Sequence, residues 1–430
     1  MKDFVLKGHI CYTKNSKKIE VYPNSFLVCV NGVSKGVYST LPEEYKSLEV
    51  YDYTDKLIVP GMIDLHVHAP QYAFRGMCMD LELMEWLNNY TFPEEEKYED
   101  LVYARKAYEI FVNDLKKSAT TRASIFATRH RPATELLMDL MEESGLVSYV
   151  GKVNMDREAS KKLQEESPEI SAKHTFEWIE ATKDKYQNTK PILTPRFIPS
   201  CTDKLMEELR KIQMEYGIPV QSHLSESPGE IDFVKFLRPN NKFYGEAYND
   251  YDLFGYNDDI DRDVKTVMAH CVWSTNEEVA LMRKNGVFVA HCPASNLNLS
   301  SGIAPIRKYI DLGMNVGLGS DVAGGHSLSI FRAVTDAIQV SKMYFRLINP
   351  NYKPIVFSEA FYLATKGGGK FFGKVGSFEK GYEVDAVVLN DDCLEHPQDL
   401  TVLERLERAF YLSLDEKQIV SKFVRGNKIF

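Results

Sequence analysis

From about residue 58 onward, short apolar runs alternate with segments whose apolar positions recur every three to four residues. The first pattern predicts strands buried on both faces, and the second predicts amphipathic helices. Strands are predicted at Val147–Gly151, Ile192–Arg196, Val220–His223, Val267–His270, Val287–Ala290 and Val316–Gly319. Helices are predicted at Asp100–Lys117, Ala133–Ser144, Ser171–Tyr186, Thr202–Tyr216 and Thr275–Asn285. Such alternation marks parallel βα units, and their number favours a closed TIM-like (β/α)8 barrel, with the helical pattern of Ile355–Thr365 completing it. Residues Phe4–Leu57 read instead as short strands and turns, as in Val28–Gly32, and strand-like runs return in Asp385–Asn390 and Ile419–Val424. The pattern therefore predicts a barrel over residues 58–375, inserted into a small β-sandwich domain built from residues 1–57 and 376–430.

Composition narrows the partner. A chain of 430 residues with 44% hydrophobic and 26% charged residues reads as a globular enzyme of one barrel and an accessory domain. A net charge of -9 argues against nucleic acid or an anionic membrane, and a small molecule suits it better. The seven cysteines are odd in number, scattered and without a Cys-x-x-Cys pair, which fits reduced thiols and a cytoplasmic location. Charge interrupts Met1–Lys7 at once, so it reads as no signal peptide, and no apolar run has the length of a membrane span.

Chemistry gathers at the predicted strand ends. In Pro60–His68, strand alternation turns His66 and His68 to one face and Ile63, Leu65 and Val67 to the other. Arg196, His223, His270 and Asp321 end later strands, on the side of a parallel barrel where active sites form. Three imidazoles and a carboxylate form a normal ligand set for zinc or ferrous iron with one position open. Each residue alone has an ordinary reading: a lone strand-end histidine is usually structural, and Asp321 suits a turn or helix cap. Their conjunction in one βα pattern favours a site. His291 is expected to be structural or to lie behind the site, and His9, His130, His174, His326 and His396 are background. Glu94–Glu96 and Glu165–Glu166 are read as solvated faces or helix starts.

The chain resembles the amidohydrolase superfamily in Pro60–His68, the later His223 and His270, His291–Asn296 and Gly319–Asp321. Within it, the resemblance is closest to the guanine deaminase family, through His66–Tyr72, Leu83–Leu87, Tyr90–Pro93, Thr194–Phe197, Gln221–Glu226 and Gly317–Gly325. It implies one divalent metal, zinc before iron, on His66, His68, His223 and Asp321. His270 would then orient the water. Two-metal relatives bridge their ions with a carboxylated lysine on a middle strand, and Ile192–Pro195 holds no lysine. Lys117–Thr121 departs from the pattern, with Ser118-Ala119 where relatives carry glycine. Relatives are commonly dimers, so the resemblance also implies a homodimer.

The implied reaction is hydrolytic deamination of guanine in purine catabolism or salvage. A divalent metal lowers the pKa of water to about 7, Glu226 shuttles protons to the ring and to departing ammonia, and Asp321 takes the water's proton. Arg196 and Gln71 suit guanine's oxo acceptor. Phe197 either stacks on the purine or packs the barrel, and Trp86 either walls the pocket or anchors it. Another amino-heterocycle, of 8-oxoguanine or triazine type, is the alternative substrate. A metal-free scaffold relative would be expected to have lost ligands that survive here.

Overall fold

The computed structural model describes residues 3–256, 264–412 and 418–430. The chain begins with β1 (Phe4–Asn15), β2 (Lys18–Val30), β3 (Val33–Tyr38) and β4 (Glu49–Pro60), then enters the barrel through β5 (Met62–His68). β6 (Thr120–Phe126), β7 (Val147–Gly151), β8 (Val153–Asn154), β9 (Thr189–Pro191) and β10 (Thr194–Pro195) follow. They are succeeded by β11 (Val220–Leu224), β12 (Thr266–His270), β13 (Phe288–His291) and β14 (Asn315–Leu318). The chain then returns to the first sheet with β15 (Ala386–Leu389), β16 (Ile419–Val424) and β17 (Asn427–Lys428).

Four parallel strands, β5-β6-β7-β9, form one half of the barrel wall, and β11-β12-β13-β14 form the other. β10 pairs with β8 beside the first seam. Leu193 bridges to Val220 there, with Gln221 N–H donating to Leu193 O at 2.9 Å. At the second seam, Asp321 N–H donates to His66 O at 2.8 Å. The whole is an α/β barrel of TIM type. The predicted strand Ile192–Arg196 shrinks to β10, because Pro191 and Pro195 supply no N–H to a ladder.

The terminal segments meet in one seven-stranded sheet, ordered β17-β16-β15-β4-β1-β2-β3, where two packed sheets were expected. Phe4, Leu6, Ile10, Leu27, Ile58, Val388 and Phe423 build a core of its own on this sheet. β6 was not predicted, since Thr-Thr-Arg-Ala-Ser lacks an apolar run, yet all of it is buried. Its polar groups find partners: Arg122 pairs with Asp385 at 2.7 Å, and Ser124 donates to Gln221 at 2.7 Å. Ser118, the departure noted above, caps the turn before β6 by donating to Leu115 O at 2.9 Å, well away from the strand tips.

Helix ends follow side-chain capping. Asp100 and Thr202 are caps rather than first helical residues, accepting from Val102 N and Leu205 N. Ser167 caps a helix that begins at Pro168 rather than Ser171. No helix among the described residues is long and apolar enough to cross a membrane.

Candidate metal centre and active-site cavity

β5 ends with His66 and His68 buried and aimed at the barrel axis. His68 Nε2 stands 3.2 Å from His66 Nε2 and 3.2 Å from His223 Nε2, contributed by β11. Asp321 Oδ1, just past β14, lies 3.1 Å from His66 Nε2 and 3.4 Å from His68 Nε2. Ligands bound at about 2 Å around a tetrahedral zinc stand roughly 3.3 Å apart, and His66, His68 and Asp321, with His223 against His68, stand at such separations. His223 Nδ1–H donates to Arg196 O at 2.7 Å, which leaves the Nε2 lone pair facing the cluster.

Burial, then the neighbouring imidazoles, hold the pKa of His68 and His223 well below the ordinary value, so they are neutral, as ligation requires. Burial also opposes the Asp321 charge, but His66, His270 and His68 outweigh it and keep the carboxylate ionised far below its usual range. These residues fit a divalent cation.

His270, at the tip of β12, faces the same space, and one of its ring nitrogens lies within 4.8 Å of ring nitrogens of His66 and His223. Its Nδ1–H donates to Asn296 Oδ1 at 2.9 Å, and Nε2 lies 3.4 Å from Glu226 Oε2 and 3.7 Å from Asp321 Oδ2. The short tip after β11 buries Glu226, whose Oε1 accepts from Ser301 Oγ at 3.0 Å. Burial, reinforced by Glu230 and Asp321 against His270, pushes the Glu226 carboxyl up to about 7. Backbone φ of +48° at Ser225, +72° at His270 and +46° at Asp321 turns these strand tips, a strain typical of functional sites.

A cavity opens over these groups, lined by Gln71, Trp86, Arg196, Phe197, Glu226 and Leu299 among others. The model of the amidohydrolase family matches residues 57–429. The chain belongs to this family. Guanine deaminase of Dictyostelium discoideum is 36% identical over 99% of this chain and 98% of its own. Guanine deaminase of Homo sapiens is 36% identical over 90% and 85%. Among solved structures, a guanine deaminase from C. acetobutylicum with guanine bound in its active site matches with a TM-score of 0.95 and 46% identity over 100% of both chains. Amidohydrolases are metal-dependent hydrolases, in keeping with the His66–His68–Asp321 cluster.

In this amidohydrolase, Glu94 and Glu95 lie in the first turn of the short helix Phe92–Glu95, as the helix-start reading expected, but they correct the solvated one. Both are buried, at 7% and 1% exposure, rather than solvated. Glu95 Oε2 accepts from Arg196 Nη1 at 2.6 Å, and Oε1 accepts from Arg196 Nη2 at 3.2 Å and Gln71 Nε2 at 3.0 Å. Glu165 is likewise buried, held by Lys152 at 2.6 Å, while Glu166 is exposed as expected. A glutamate run has no periodic signal that separates a paired interior carboxylate from a surface one; only the fold supplies the partner.

Asn296 and Ser301, which orient His270 and Glu226, were also missed, although Asn296 lies inside the quoted His291–Asn296 segment. His291 itself is buried with neither ring nitrogen hydrogen-bonded, burial pushes its pKa down to about 3, and it does not line the cavity. Trp86 and Phe197 both reach the cavity wall, and the Phe197 ring stands 6.3 Å from His223.

Proposed function

We infer that the chain hydrolyses the exocyclic C–N bond of guanine, giving xanthine and ammonia. The observation that carries this reading is the union, in one cavity, of paired oxo-recognising donors (Arg196 and Gln71) with a metal-ligand cluster and the Glu226 carboxyl. Near-full-length likeness to guanine deaminases supports it. Residues 58–375 would form the catalytic barrel, and residues 1–57 and 376–430 its composite accessory domain.

When held by His66, His68, His223 and Asp321, one divalent ion (zinc first, ferrous iron as the alternative) supplies a Lewis acid that lowers the pKa of water to about 7. Arg196 and Gln71 bind the purine's oxo edge and aim C2 at the attacking oxygen. Phe197 and Trp86 exclude bulk water from the ring faces. Asp321 takes the proton released as the water oxygen bonds to C2. Glu226, with a carboxyl near 7, gives its proton to the adjacent ring nitrogen. Glu226 then takes the proton of the new C2–OH and passes it to the 2-amino nitrogen, so that the C–N bond breaks to release ammonia and leave the 2-oxo group. The proton held by Asp321 moves to Glu226. His270, between Glu226 and Asp321, orients the water through Nε2.

The deciding experiment is a guanine-to-xanthine assay on protein of measured metal content. Turnover proportional to bound metal is expected. Absence of guanine turnover, with turnover of a triazine or 8-oxoguanine, would replace guanine as the substrate.

A further inference from the structure

We propose that Glu95 is a positioning residue that makes the cavity select a 6-oxo over a 6-amino purine edge. The proposal rests on the reading that Arg196 and Gln71 face the purine, and it names what sets their hydrogen-bonding polarity. Glu95 does not line the cavity, so it acts only through these two side chains.

The polarity argument needs no choice of amide orientation. Ala323 N–H can only donate, and it meets Gln71 Oε1 at 3.2 Å. The Glu95 carboxylate can only accept, and it meets Gln71 Nε2 at 3.0 Å. The amide is thus held at both ends, its carbonyl oxygen accepting from the backbone of Ala323 and its Nε2 keeping a second N–H to offer. The same carboxylate takes one N–H from each terminal nitrogen of Arg196 in a two-pronged pair, and the Phe92 ring lies 5.2 Å from the guanidinium carbon. Arg196 retains donors and has no acceptor. Arg196 therefore presents donors alone, and Gln71 is oriented with a free N–H while its carbonyl oxygen is bound to the backbone. A 6-oxo group satisfies them, whereas a 6-amino group brings a donor against donors.

Glu95 also ends the segment Phe92–Glu95, which follows the cavity-lining Leu83, Trp86 and Leu87. One carboxylate thereby joins the cavity's outer wall to β10 and to the tip of β5. Without its charge, the Arg196 fork is free to swing, and Gln71 loses the acceptor that orients its amide.

The test uses the zinc-loaded chain and two purines without a 2-amino group, hypoxanthine (6-oxo) and adenine (6-amino). Their dissociation constants are measured for the wild type, Glu95→Gln and Glu95→Asp, together with zinc content and the thermal transition. Preference for hypoxanthine in the wild type is expected, falling at least tenfold in Glu95→Gln, where an amide N–H faces these donors. In Glu95→Asp, which keeps the charge but shortens the reach, a smaller fall is expected. An unchanged preference in either folded variant overturns the proposal, as does a wild type without preference. If neither variant keeps zinc and a cooperative transition, Glu95 is a folding residue and the proposal fails. A wild type that prefers hypoxanthine but does not deaminate guanine overturns the substrate reading instead, leaving the role of Glu95 standing.

Discussion

Glu226 and Arg196 illustrate how one side chain's chemistry is set by its partners. With Oε1 held by Ser301 and Oε2 3.4 Å from His270, Glu226 is held where the proposed mechanism needs its proton carrier. Glu226→Gln should retain metal while turnover falls roughly 10²-fold or more, checked by metal analysis and steady-state rates. Arg196→Ala should weaken guanine binding by about 1–3 kcal/mol through loss of the oxo partner. It should also destabilise the fold by about 3–5 kcal/mol, because Glu95 would be left as a buried, unpaired charge. Denaturant titration of Arg196→Ala against Arg196→Ala with Glu95→Gln checks the second effect: the double variant should recover part of the loss. The arginine was legible in the sequence from its strand-end place. Its carboxylate partner, 101 residues away, was not.

At the scale of elements, the strand tips depend on buried carboxylates behind them. Glu278, on the helix Asn276–Lys284, accepts from Ser225 Oγ at 2.8 Å and Gly245 N at 2.7 Å, steadying the turn that carries Glu226. Burial raises its carboxyl above 4.5 despite these donors. The folded state therefore holds this proton more tightly than the unfolded chain. Its contribution is fully present below the unfolded value of about 4.5 and is lost as pH rises through the raised folded value. The melting temperature of the wild type relative to Glu278→Gln should therefore fall as pH rises above about 4.5. Helix and strand positions were readable from periodicity because each apolar stripe answers to its own backbone repeat. β6 escaped because its polar residues are buried against partners in other elements, a fact no local period encodes.

Across the whole molecule, Arg122 joins the barrel to the terminal sheet. Its guanidinium, 4% exposed, reaches Asp385 at 2.7 Å and Glu383 at 2.6 Å, and these carboxylates hold it protonated even more firmly than usual against the opposing effect of burial. Arg122→Ala should cost about 3–5 kcal/mol by stranding buried Asp385, measurable by denaturant unfolding. The proposed ligands His66, His68, His223 and Asp321 span β5, β11 and the β14 tip, so chelation should lower the melting temperature, and added zinc or ferrous iron should restore it. At an ion concentration of about 100 times the dissociation constant, the stabilisation is about 2.7 kcal/mol.

The sequence by itself determined the βα order, the ligand types at each strand end and the family those segments resemble. These are local properties: a repeat of the backbone, a histidine at a strand tip, a proline that stops a ladder. Only the tertiary structure decided that Glu95 and Glu165 lie inside, that β6 is buried and that the terminal strands share one sheet. Each depends on a partner distant along the chain, and the stability of a buried charge depends on that partner rather than on its neighbours in sequence.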